Sequence, residues 1–91
     1  MTNDQKVFWD EVEKIQDYVV NTYVSKESEF HTIKDLLNDV TYETIYEIME
    51  LLDGYKSDNL QGYVINKHTG KIINLNTDLH NSCEECLNDS N

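Results

Sequence analysis

Apolar residues early in the chain fall at Phe8, Val12, Ile15, Val19 and Tyr23, at steps of four, three, four and four. That spacing predicts an amphipathic helix over residues 3–24. Thr2 or Asn3 is placed to cap its first amides, and Asp4 suits the positive end of the helix dipole. Asp10, Glu13 and Asp17 recur at steps of three and four on the opposite side and give one acidic face. The β-branched run Val19, Val20, Thr22 and Val24 weakens the last turn.

A second stretch is less regular. Phe30, Ile33 and Leu37 share the spacing of one helix face, which predicts a short helix over residues 30–38. Thr41 then reads as the cap of a separate helix over residues 41–53, with Val40 stapled onto Ile45. Tyr42, Ile45, Tyr46, Met49 and Leu52 form its apolar stripe, and Ile48 and Leu51 widen it beyond half the circumference. An arc that broad must touch two neighbours, so this helix is expected at the centre. Its remaining strip is Glu43, Glu47 and Glu50, expected to face solvent, and Gly54 is the left-handed stop.

Residues 62–76 read as a β-hairpin. Tyr63-Val64-Ile65 and Ile72-Ile73-Asn74-Leu75 are β-prone, and Lys67-His68-Thr69-Gly70 between them ends on the Gly that a positive φ requires. An isolated hairpin is marginal in water, so it is expected on the helices. Asn76 or Thr77 then caps a last helix that buries Leu79, Cys83, Cys86 and Leu87. The pattern gives a single domain over residues 1–91 of the α+β class: three to four helices packed against a small antiparallel β-hairpin.

Charge changes the picture more than size does. Eighteen Asp and Glu face 7 Lys and no Arg, for a formal net charge of −11 in 91 residues. A nucleic-acid binder needs a basic face to displace counterions, so direct nucleic-acid binding is excluded. Adhesion to anionic lipid is excluded on the same ground. Residues 1–10 lack the basic start and apolar run of an export signal, and no run reaches the ~20 apolar residues of a membrane span, so the expected place is the cytoplasm. Arg, Ala and Pro are missing while Asn, Ile, Lys, Tyr and Asp abound, the bias of an A·T-rich coding sequence in a low-GC bacterium or its phage.

Chemistry is sparse. Cys83-Glu84-Glu85-Cys86 has a metal or redox spacing, but zinc wants four ligands and the chain holds two Cys and three His. Glu84 and Glu85 raise a thiol pKa, where a redox thiol needs it lowered. The pair is therefore read as buried packing, with no metal and no cofactor. The segment from Asp53 to Asn59 departs from a calcium loop, because Val64 stands where the bidentate Glu belongs. The carboxylates lie opposite apolar stripes, His31, His68 and His80 are scattered, and neither a nucleophile elbow nor a phosphate loop is present. The chain does not read as an enzyme.

What remains is the acidic surface: the strips Asp10/Glu13/Asp17 and Glu43/Glu47/Glu50, with Tyr18, Tyr46, Tyr55 and Tyr63 interleaved. Together with Leu51-Leu52-Asp53-Gly54-Tyr55, a hairpin and Leu79-His80, this resembles small acidic bacterial immunity proteins that neutralise toxins, and phage inhibitors of the anti-CRISPR type. The resemblance implies a mode of action and assigns no residue. The expectation is an inhibitor that occupies the basic, nucleic-acid-facing site of a protein partner such as a nuclease. Its contacts are expected from Asp10, Glu13, Asp17, Glu43, Glu47, Glu50 and Tyr55. The alternatives are an acidic accessory module that binds through apolar and Tyr contacts, and a Cys-x-x-Cys metal or redox module.

Overall fold

Thr2 begins the first helix with a reciprocal cap. Its hydroxyl accepts from the Gln5 amide at 3.1 Å, while its own amide donates to Gln5 Oε1 at 2.8 Å. In the computed structural model, which describes residues 1–88, helix α1 runs Asn3–Val24. Its predicted stripe is its inner face, with Ile15 and Val19 buried and Phe8, Val12 and Tyr23 packed around them. A short 3-10 turn, Glu27–Glu29, follows.

Helix α2 runs unbroken over Ile33–Asp53, where the sequence predicts two helices with a start at Thr41. Thr32 is the cap, accepting from the Asp35 amide at 3.1 Å. Thr41 sits mid-helix and donates its hydroxyl back to the carbonyls of Leu37 and Asn38, at 2.7 and 3.2 Å. A Thr satisfied inside the helix does not end it, and with no Gly or Pro nearby each further residue adds a hydrogen bond. The end is as expected. Gly54 takes φ 92°, its amide bonds the Leu51 carbonyl, and the Tyr55 amide bonds that of Glu50. These two bonds are the Schellman pattern.

α2 is the central element, packed on α1 along one side and on the C-terminal turns along another. Leu51 is wholly buried between them, beside Ile15 and Val19, with Val40, Ile48 and Leu60 completing the cluster.

The fold is α+β. Strands β1 (Ile65–Asn66) and β2 (Lys71–Ile72) pair antiparallel, Ile65 opposite Ile72, and Gly70 turns the chain with φ 72°. They are shorter than predicted because Asn74 ends the ladder with its side chain: it accepts from the Val64 amide and donates to the Gly62 carbonyl, each at 2.9 Å. The Gly62 amide in turn bonds the Leu52 carbonyl at 2.9 Å and ties this segment to α2.

The last helix also starts later than predicted, and neither Asn76 nor Thr77 caps it. A 3-10 turn at His80–Ser82 leads into a four-residue helix, α3, at Cys83–Cys86. Cys83 is buried, but Cys86 is exposed, contrary to its predicted place inside.

Candidate partner-binding surface

The chain reversal between α1 and α2 sets the two helices side by side and antiparallel. Near the turn, Tyr23 donates its hydroxyl to Asp39 Oδ2 at 2.5 Å, and at the far end Trp9 and Ile48 line one cleft. Burial and the charge of Asp39 push the Tyr23 pKa upward, so the hydroxyl stays a donor.

Asp10, Glu13 and Asp17 are exposed on α1, as the sequence predicts. Asp10 carries an exposed ion pair to Lys6 at 3.2 Å, of the kind that contributes ~0.3–0.5 kcal/mol. Glu43, Glu47 and Glu50 do not form a second solvent-facing strip. Glu47 is 5% exposed, and Glu43 and Glu50 are half-buried. Lys56, from the loop after α2, reaches back to bond Glu47 and lies 3.6 Å from Glu50. Burial raises the Glu43 carboxyl pKa, and the hydrogen bond and charge of Glu47 raise it further. Burial alone would lower the Lys56 pKa, but Glu47 and Glu50 outweigh it and raise it.

The reason for the inward turn is periodic. Glu47 follows Val40 by seven residues and precedes Leu51 by four, so it lies on the core stripe itself. A carboxylate there needs a paired cation, and Lys56 supplies it across a loop that no helical spacing reveals. The two acidic strips therefore do not merge into a double array.

Tyr55 is exposed but lies elsewhere, at the junction of α2 with the C-terminal turn. Its hydroxyl donates to Asp78 Oδ2 at 2.7 Å, and its ring meets that of His80 in a T-shaped contact with centroids 4.9 Å apart. Beneath it, buried Asp53 accepts from the Leu79 amide at 3.0 Å and the His80 amide at 2.9 Å, and its Oδ2 lies 2.6 Å from His80 Nδ1. Burial opposes the charge on Asp53, but the His80 and Leu79 amides and the His80 ring outweigh it and hold its pKa below the ordinary value. The Leu51–Tyr55 and Leu79–His80 segments thus meet in space as a tether for the C-terminal turn. Neither the Asp53 acceptor nor its partners were legible in the sequence.

The surface that sequence reasoning missed is a second stripe, one residue out of step with the core stripe. On α1 it carries Trp9, Val20 and Val24, which are 56, 53 and 74% exposed. On α2 it carries Ile33 and Leu37, 76 and 54% exposed, and continues through Thr41 to the half-buried Thr44 and Ile48, the latter also bordering the core. The stripes run side by side, because Trp9, Val12, Glu13 and Gln16 share a cleft of about 470 Å³ with Thr44 and Ile48. Ile33 and Leu37, which share one helix face by their spacing, lie on an exposed one. The available signal was Trp9-x₁₀-Val20-x₃-Val24, a helical spacing masked by the stronger core stripe beside it.

Cys83 lines a shallow apolar hollow with Ile45, Met49, Leu79 and Leu87, and burial, then Cys86 and Asp53, raise its thiol pKa. Among the described residues, no group of three or more His, Cys, Asp or Glu side chains is placed to hold a metal ion. Among them also, no helix is long and apolar enough to cross a membrane. No protein family, curated protein or solved structure matches this chain.

Proposed function

We propose that this chain is a binding protein, not an enzyme, that inhibits a basic protein partner in the cytoplasm by docking the outer face of α1 against its nucleic-acid-facing site. The observation that carries this reading is the Trp9 cleft, an exposed aromatic anchor with Glu13 in its wall and Asp10 and Asp17 alongside. Interfaces draw their energy from such desolvated aromatic anchors, while charges around them govern encounter rate and choice of partner. At 1.5 Å rise per residue, Asp10, Glu13 and Asp17 stand ~4.5–6 Å apart along α1. One nucleic-acid strand presents a charge each ~3.4 Å, so a phosphate-binding cleft meets negative charge at comparable density. The same mode of action follows from the resemblance to immunity and anti-CRISPR-type proteins. Glu43, Glu47 and Glu50 have no part in the contact in this reading, since Glu47 and Glu50 pair with Lys56 and Glu43 bonds Glu47.

The test is capture of the partner from the source cell, followed by titration at low and high salt. A basic partner is expected, with an association rate that falls as salt rises and with nucleic acid competing for it. Reversing Asp10, Glu13 and Asp17 to Lys slows association while the fold survives. A neutral or acidic partner bound without salt dependence would discard the inhibitor reading and leave the accessory module.

A further inference from the structure

Resting on that reading, we infer that the occupant of the α1–α2 face is one amphipathic helix of the partner. It lies in the seam between the two exposed stripes and turns a basic flank toward α1. Its apolar face covers Trp9, Val20 and Val24 on one side and Ile33, Leu37 and Ile48 on the other.

Three observations lead there. The stripes recur at helical spacing on adjacent antiparallel helices, and at the Trp9 end of α1 the two helices share one cleft, closed on the α2 side by Thr44 and Ile48. From Trp9 to Val24 the α1 stripe is ~22 Å long at 1.5 Å per residue, the length of a partner helix of about 15 residues. A third helix in the groove between two packed helices buries both walls together, which is how amphipathic segments are commonly recognised.

The charge is one-sided. Glu13, Asp17 and the Lys6-paired Asp10 border the groove along α1, whereas the α2 border carries Lys34 and Asn38. That asymmetry calls for Lys or Arg along the flank of the incoming helix that meets α1. It also argues against a second copy of this chain, since each copy carries a net charge of −11. A two-fold contact would in addition set the acidic border against itself.

Trp9 is the sole tryptophan and stands at the groove, so its emission reports occupancy directly. The probe is a synthetic 15-residue Leu/Lys peptide, free of Trp, with Leu at helical spacing and Lys on one flank. The control has the same composition with the spacing scrambled. The helical peptide is expected to shift Trp9 emission to the blue with one-to-one saturation, at least tenfold more tightly than the scrambled one. Leu37→Asp, checked for retained fold by circular dichroism, is expected to weaken it at least tenfold. That variant adds a negative charge, so an attachment by charge alone would tighten instead.

Val20→Asp repeats the test from the other wall, should Leu37→Asp disturb α2. Equal binding of both peptides, or unchanged binding by both Asp variants, overturns the inference. Self-association that blocks the peptide and is abolished by Leu37→Asp overturns it in favour of a second copy. If the peptide fails while the captured partner still binds in a salt-dependent way through Asp10, Glu13 and Asp17, the helix inference falls and the acidic-inhibitor reading stands. If that salt dependence is also lacking, both fall.

Discussion

Removing the Asp53 carboxylate should release the C-terminal turn from α2. The side chain is 1% exposed and is the acceptor for the Leu79 amide, the His80 amide and the His80 ring nitrogen. Asp53→Ala leaves those donors without a partner. A buried donor left unsatisfied costs ~1–3 kcal/mol. Three donors share one carboxylate, so their losses overlap, and the expected destabilisation is ~3–5 kcal/mol. Asp53→Asn keeps one acceptor oxygen for Leu79 but points an amide donor at the His80 donors, for about 2–3 kcal/mol.

Urea unfolding followed by circular dichroism measures the loss, and native-state hydrogen exchange locates it at the amides of Leu79 and His80. The pH profile adds an independent check. Asp53 has a lower pKa folded than unfolded, so its contribution is fully present above the unfolded value of about 3.9. It disappears as pH falls through the lower folded value, because the unfolded chain takes up the proton first. The gap between wild type and Asp53→Asn should close as pH falls below the ordinary carboxylate range and through the lower folded value of Asp53. An Asp53→Ala variant within 0.5 kcal/mol of wild type, on the scale of an ordinary surface substitution, would refute the tether.

Two further outcomes follow from burial. Lys56→Ala should destabilise by ~1–3 kcal/mol, because it strands Glu47 among core residues, whereas Glu13→Ala on the exposed strip should stay within ~0.5 kcal/mol; thermal melts of the two variants compare them directly. In the folded protein a thiol-specific reagent should modify Cys86 and spare Cys83 until denaturant is added, so equal rapid modification of both would contradict the buried position of Cys83.

Local rules carried the sequence reading a long way. The Phe8–Tyr23 stripe, the cap at Thr2 and the stop at Gly54 depend on neighbours within four residues, where helical geometry is fixed by bonded chemistry. The turn ending at Gly70 is of the same kind. Locality also explains the error at Thr41, which has the chemistry of a cap but, mid-helix, satisfies its hydroxyl on the Leu37 and Asn38 carbonyls.

Partners far apart in the chain decided the rest. Whether Glu47 faces water or the core depends on Lys56 folding back over the end of α2. Whether the last helix begins at Thr77 or past Leu79 depends on a carboxylate 27 residues before His80. The apolar arcs of α1 and α2 are each wider than one neighbour can cover, and periodicity alone ranks their positions without choosing among them. Packing on Leu51 buried one stripe and left Trp9, Val20, Ile33 and Leu37 outside. The sequence determined that these helices are amphipathic; the tertiary contact determined which apolar residues remain exposed, because a helix can turn only one side toward a given neighbour.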